Sequence, residues 1–134
     1  MPEEDIMFDP LVFPGAQGTK TIWISSRNHE GVRLIKETLP RTKTILGISN
    51  VLWPPSRGPG SLNSVFLYHC VQAGLDMAIV NSELLQRYNS IPEYERTLAE
   101  NLIWYRGDDP VAGSRITSGI KPPRPQRRPP KHAT

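Results

Sequence analysis

Apolar residues along this chain fall into short blocks whose spacing alternates between a strand period and a helix period. Residues 6–13 form an apolar run with one acid inside it, Asp9, and read as a strand. Residues 15–30 show no clean period and read as loop or a weak helix start. In residues 31–39, Val32, Ile35 and Leu39 mark a helix face that Pro40 closes. Residues 43–48 are apolar and end in Ser49-Asn50, as a buried parallel strand does when it delivers polar groups to a site at its carboxyl end. Residues 52–60, rich in Pro and Gly, can only be loop.

A second helix is predicted over 62–73, with Ser61 as N-cap and Gly74 just past its end. Leu62, Val65, Phe66, Cys70 and Ala73 line one face, and Leu67 and Val71 widen it, so this helix is expected between the sheet and other helices. Asp76 to Asn81 reads as a short buried strand with a polar end. Ser82 is placed to cap a short helix over 83–88. Ser90-Ile91-Pro92-Glu93 has the spacing of a capping box and opens a helix reaching about Tyr105. The order β-α-β-α-β-α predicts an α/β fold with parallel strands and right-handed crossovers.

Charge changes this picture at one end only. The formal net charge of the 134 residues is +3, but residues 111–134 hold six of the sixteen basic residues and no acid. The first 110 residues keep ten basic against thirteen acidic residues, a balance of −3. The tail, with Pro122, Pro123, Pro125, Pro129 and Pro130 among Arg and Lys, is expected to be disordered. No basic stripe with interleaved aromatics lies elsewhere, so no nucleic-acid partner is expected. No apolar run reaches membrane-spanning length, and the acidic start Glu3-Glu4-Asp5 is unlike a signal peptide. A lone cysteine, Cys70, cannot close an internal disulfide; it is read as a small buried hydrophobe in a cytoplasmic protein.

Candidate chemistry rests on few residues. Asp9 interrupts an apolar strand, and a buried carboxylate needs a partner; its structural alternative is to cap its own Asp-Pro turn. Asn50 either leaves the strand in an Asx turn or serves a site. Asn63 and Asn81 could border the same pocket or satisfy loop backbone. His69 is expected to be a satisfied core or interface histidine, and His29 and His132 to be exposed. No metal-ligand spacing, phosphate loop or nucleophile–base arrangement is present.

The runs IMFDPLVFP, RLIKETLP, TILGISNV, LNSVFLYHCVQAGLDMAIVN and IPEYERTLAENLI resemble the pterin-binding methyltransferase domain of the cobalamin-dependent methionine synthase family. The resemblance covers about Pro2 to Pro110, with gaps. It implies the last three β/α units of a TIM (β/α)8 barrel, an incomplete barrel over residues 1–110, followed by the tail over 111–134. Asp9 matches the family carboxylate that accepts hydrogen bonds from the pterin ring N–H and exocyclic amine. Asn50 matches the asparagine near N5 of the folate and is the candidate catalytic residue; Asn81 is a further candidate pterin contact. The resemblance implies 5-methyltetrahydrofolate as substrate and methyl transfer to cob(I)alamin, then to homocysteine, in methionine biosynthesis. Cobalamin would be met only through a corrinoid-binding domain or protein, and a companion chain would supply the missing barrel units.

Residues of about 15–30, about 52–60 and beyond about Ala112 depart from the family pattern, and local reading-frame changes in the coding DNA would account for that. Three parallel strands leave two open edges, so the isolated chain is expected to be marginally stable, oligomeric or aggregation-prone. Two other readings are a catalytically inactive remnant acting as a protein-interaction module and a dihydropteroate synthase-like enzyme. The last lacks the strand-end Arg or Lys that phosphate chemistry requires.

Overall fold

Three parallel strands follow one another in chain order. The computed structural model describes residues 1–12, 23–51, 61–104 and 106. Strand β1 (Met7–Phe8), helix α1 (Trp23–Thr38), strand β2 (Lys43–Gly47), helix α2 (Leu62–Gln72), strand β3 (Met77–Ile79) and helix α3 (Glu93–Ile103) alternate as the hydrophobic pattern requires. The sheet order is β1-β2-β3. Met7 is in register with Lys43 in the first pairing, and Ile45 with Met77 in the second, both parallel. The loop 52–60 and the tail from 107 onward lie outside the described residues, as does His132.

β2 is the centre of the sheet, and its pleat explains its pattern. Thr44 and Leu46 are fully buried while Ile45 and Gly47 are half-buried, the period of two expected of alternating faces. Leu46 joins one core with Val32 of α1, Val65 and Phe66 of α2, and Ala99, Leu102 and Ile103 of α3. Burying each of the larger side chains contributes roughly 1.5–3 kcal/mol. The breadth of apolar positions on α2 is thereby explained: it packs against both α1 and α3.

Several local expectations are corrected. β1 is a two-residue strand, because the chain turns at Asp9-Pro10 and Pro10 has no N–H to extend a ladder. α1 starts at Trp23, well before residue 31. Its polar stretch hid the period, yet Arg33 pairs with Glu30 and with Glu37 along the helix surface. β3 is exposed along its whole length, with Ile79 63% accessible; among the described residues it is an edge strand paired only with β2. Residues 83–88 do not form an α-helix. A 3₁₀ turn over Ser82–Leu84 is capped by Asn81, whose Oδ1 accepts from the Glu83 N–H at 3.2 Å, and another spans Tyr88–Ser90. Ser61 makes no capping bond, since its own backbone is already helical. Ser90 does not form the capping box either: its hydroxyl donates to the Arg87 carbonyl at 2.7 Å, and α3 begins after Pro92.

The end of α2 follows the sequence closely. The Leu75 N–H donates to the Cys70 carbonyl and the Gly74 N–H to the Val71 carbonyl, each at 3.0 Å, which is the Schellman pattern. Gly74 has φ +110°, and a Cβ there would lie 2.8 Å from Lys36 Cγ. Gly74→Ala is expected to cost about 1–3 kcal/mol, through backbone strain and displacement of the Lys36 stem. Urea unfolding measures this, and a loss below about 0.5 kcal/mol would show that Lys36 yields freely.

α1 is tied to the sheet by one polar junction. Lys36 Nζ donates to the Thr42 carbonyl at 2.9 Å and to Asp76 Oδ2 at 3.0 Å. Asp76 Oδ2 also accepts from the Thr44 N–H at 2.9 Å, so the carboxylate links α1, β2 and the entry to β3.

Candidate functional site

The carboxyl ends of all three strands face one cavity of about 200 Å³. The exit of β1 contributes Asp9, Leu11 and Val12; the end of β2 contributes Gly47, Ser49 and Asn50; β3 contributes Ile79. Residues as far apart in sequence as Asp9 and Asn50 therefore line the same space.

The β1 exit is shaped by a tight turn. Asp9 Oδ1 accepts from the Leu11 N–H at 2.9 Å, and Leu11 takes a φ of 57°, uncommon for a branched side chain. Asn28 of α1, only 4% accessible, holds this turn from behind: its Nδ2 donates to the carbonyls of Pro10 and Leu11. Asp9 is exposed rather than buried, which corrects the expectation of a costly interior carboxylate. The turn moved it out of the strand's apolar environment, and among the described residues it forms no ion pair. The turn bond uses one lone pair of Oδ1, and Oδ2 accepts from none of the described residues.

The β2 exit is a 3₁₀ turn over Ile48–Val51. Ile48 and Val51 are 0% and 1% accessible, so both ends of the turn are pinned in the core. Ser49 and Asn50, between them, face the cavity. Ser49 Oγ accepts from the Asn81 N–H at 3.2 Å, joining the exits of β2 and β3. Asn81 itself is not among the cavity-lining residues; its side chain caps the following turn. Asn63 also lies elsewhere, on α2. Asn28, in a stretch without period, is not singled out by the sequence; its spacing of four from Val32, on one helix face, was the available signal. Ser49, read with Asn50 as the polar end of β2, does line the cavity.

A second polar cluster lies between α2 and α3. Glu100 Oε1 faces His69 Nε2 at 3.0 Å and accepts from the Tyr88 hydroxyl at 2.5 Å. The His69 ring meets Trp104 edge-on at 4.5 Å, so this histidine is satisfied, as expected. Partial desolvation pushes the Glu100 carboxyl up, but the bonds from Tyr88 and His69 outweigh it and hold the group below its ordinary value. His29 is half-buried, not exposed, with its ring 5.9 Å from Trp104. Burial, and then repulsion from His69, lowers its pKa. Burial pushes the Cys70 thiol up to about 12, which leaves it an inert core residue. No cluster of three or more metal-ligating side chains occurs among the described residues, and none of their helices is long and apolar enough to cross a membrane.

No family model matches the chain. Curated proteins do match it, two methionine synthases among them. The methionine synthase of Mycobacterium tuberculosis is 39% identical over 111 residues, covering 78% of this chain. That of Mycobacterium leprae is 41% identical over 117 residues, covering 79%. The chain is related to a segment of methionine synthase. It spans about 9% of the length of these methionine synthases. The three-stranded parallel sheet with its helices is consistent with a part of a larger α/β domain of such a protein.

Proposed function

We propose that this chain is part of a pterin-binding methyltransferase domain and that its strand-end cavity takes the head group of 5-methyltetrahydrofolate. One observation supports this reading above the others. A carboxylate and a carboxamide from adjacent parallel strands, Asp9 and Asn50, line one cavity at the carboxyl ends of the sheet. That is where parallel α/β sheets carry their ligands.

The chemistry suits the pair. Asp9 Oδ2 and the remaining lone pair of Oδ1 accept from the two donors on the 2-aminopyrimidinone edge of a pterin. Asn50 donates toward N5, whose electron density rises as the methyl group departs. A donor whose bond strengthens along that path stabilises the transition state more than the bound substrate. An amide does this without a particular pH. The methyl acceptor would be a corrinoid held by another domain or protein, and homocysteine the final acceptor, which places the complete enzyme in methionine biosynthesis.

Calorimetric titration of 5-methyltetrahydrofolate into the chain tests the reading, with Asp9→Ala and Asn50→Ala beside it. Each substitution removes hydrogen bonds worth about 1.5–3 kcal/mol when one partner is charged and about 1 kcal/mol when neutral. Asp9→Ala is thus expected to weaken binding at least about tenfold, and Asn50→Ala about fivefold. Circular dichroism verifies that both variants stay folded. No binding by the unsubstituted chain, or equal binding by all three, would sink the proposal.

A further inference from the structure

Gly47 closes β2 in register with Ile79 of β3, on the half-buried face of the strand. Glycine weakens a strand interior, so its presence there calls for a local reason. Backbone conformation is not that reason: Gly74, not Gly47, is the described glycine with a positive φ. The space beside it is occupied instead. A Cβ built on Gly47 would stand 3.0 Å from Asn50 Nδ2 and 3.7 Å from Asn50 Cγ. The carboxamide therefore rests against the bare Cα of Gly47.

The turn that carries Asn50 cannot retreat as a unit, because Ile48 and Val51 anchor its two ends in the core. An added methyl group has to be accommodated by the Asn50 side chain, which must give by a few tenths of an ångström. We propose that Gly47 is a positioning residue for Asn50: the missing side chain sets where the carboxamide donor stands in the cavity, and so sets the affinity for a ligand that accepts from it. The effect on the ligand rests on the pterin reading above; the contact itself does not. Hydrogen-bonding groups of a site must be held within about 0.5 Å of their working position, so a shift of a few tenths of an ångström uses up most of that tolerance while the fold persists.

The test uses the full chain in four forms: unsubstituted, Gly47→Ala, Asn50→Ala and the double variant. Two readouts are taken, the side-chain amide resonances of Asn50 without ligand and calorimetric affinity for 5-methyltetrahydrofolate. Gly47→Ala is expected to keep the circular dichroism of the parent, shift the Asn50 amide resonances and weaken binding about three- to tenfold. In the Asn50→Ala background the same substitution is expected to change affinity less than about 1.5-fold, because the two residues act through one contact. Unshifted Asn50 resonances in folded Gly47→Ala overturn the proposal whether or not the ligand binds. An equal loss of affinity in both backgrounds also overturns it, since Gly47 would then act independently of Asn50. If no form binds the folate, the pterin reading fails, and the resonances alone decide whether Gly47 positions the carboxamide.

Discussion

Phe66→Ala is expected to remove most of this chain's stability at room temperature. Phe66 is the largest fully buried side chain among the described residues, at 0% accessibility, on the helix that packs against both α1 and α3. Truncating a buried Phe costs about 3–5 kcal/mol, from lost transfer energy together with the cavity that stays behind. Small domains have only about 5–15 kcal/mol to lose, and a three-stranded sheet with two edges lies at the low end of that range. Neighbours cannot close the gap easily, since Leu46, Val65 and Ile103 are themselves fully buried and held by separate elements. Urea denaturation followed by far-ultraviolet circular dichroism measures the effect. Val71→Ala, on the same helix but 50% accessible, is the control and should cost less than about 1 kcal/mol. A Phe66→Ala midpoint within 1 kcal/mol of the parent would mean that the core is not packed around this ring.

Asp76→Ala is expected to cost about 2–4 kcal/mol at neutral pH, through a different mechanism. Its Oδ2 accepts from the Thr44 N–H, from the Thr44 hydroxyl at 3.3 Å and from Lys36. Thr44 is fully buried, so removing the carboxylate leaves its N–H without this acceptor, at roughly 1–3 kcal/mol. Lys36 loses less, because its ammonium keeps the Thr42 carbonyl.

The same junction makes stability depend on pH. Desolvation pushes the Asp76 carboxyl up, but Lys36 and the two Thr44 donors together hold it below its ordinary value of 3.8. A carboxylate whose pKa is lower when folded stabilises the fold fully above its unfolded value, and that contribution fades as pH falls through the folded value. The chain should therefore lose stability on acidification below about pH 4, with Glu100 contributing in the same direction. Asp76→Asn keeps an oxygen for Thr44 but cannot titrate. Its stability should be lower than the parent's at neutral pH and the gap should narrow toward pH 2–3. Urea midpoints across that range check the sign; a gap that widens in acid contradicts it.

Much of the fold is legible in the chain before any coordinates. The period switches near residues 31, 43, 62 and 76 mark helices and strands, and the alternation β-α-β-α-β-α predicts parallel pairing, which is what β1, β2 and β3 adopt. Gly74 as the stop of α2 is equally readable, because only one kind of residue tolerates its φ cheaply. Helix starts are less legible. Ser61 and Ser90 have the right chemistry and spacing, but a capping side chain works only when its own backbone is extended and aimed at the free N–H groups. Ser61 is helical, and the Ser90 hydroxyl turns back to Arg87.

Local pattern determined which residues stand at the strand ends, Asp9 and Asn50 among them, because periodicity and turn chemistry act over a few neighbouring positions. Tertiary structure alone decided what those residues meet. It opened one cavity between Asp9 and Asn50, drew Asn28 behind the Pro10-Leu11 turn, gathered Lys36, Thr44 and Asp76 into one junction, and left β3 at an exposed edge. Contacts across tens of residues depend on how whole elements dock. A hydrophobic period says that an element has a face to bury, and is silent on what will cover it.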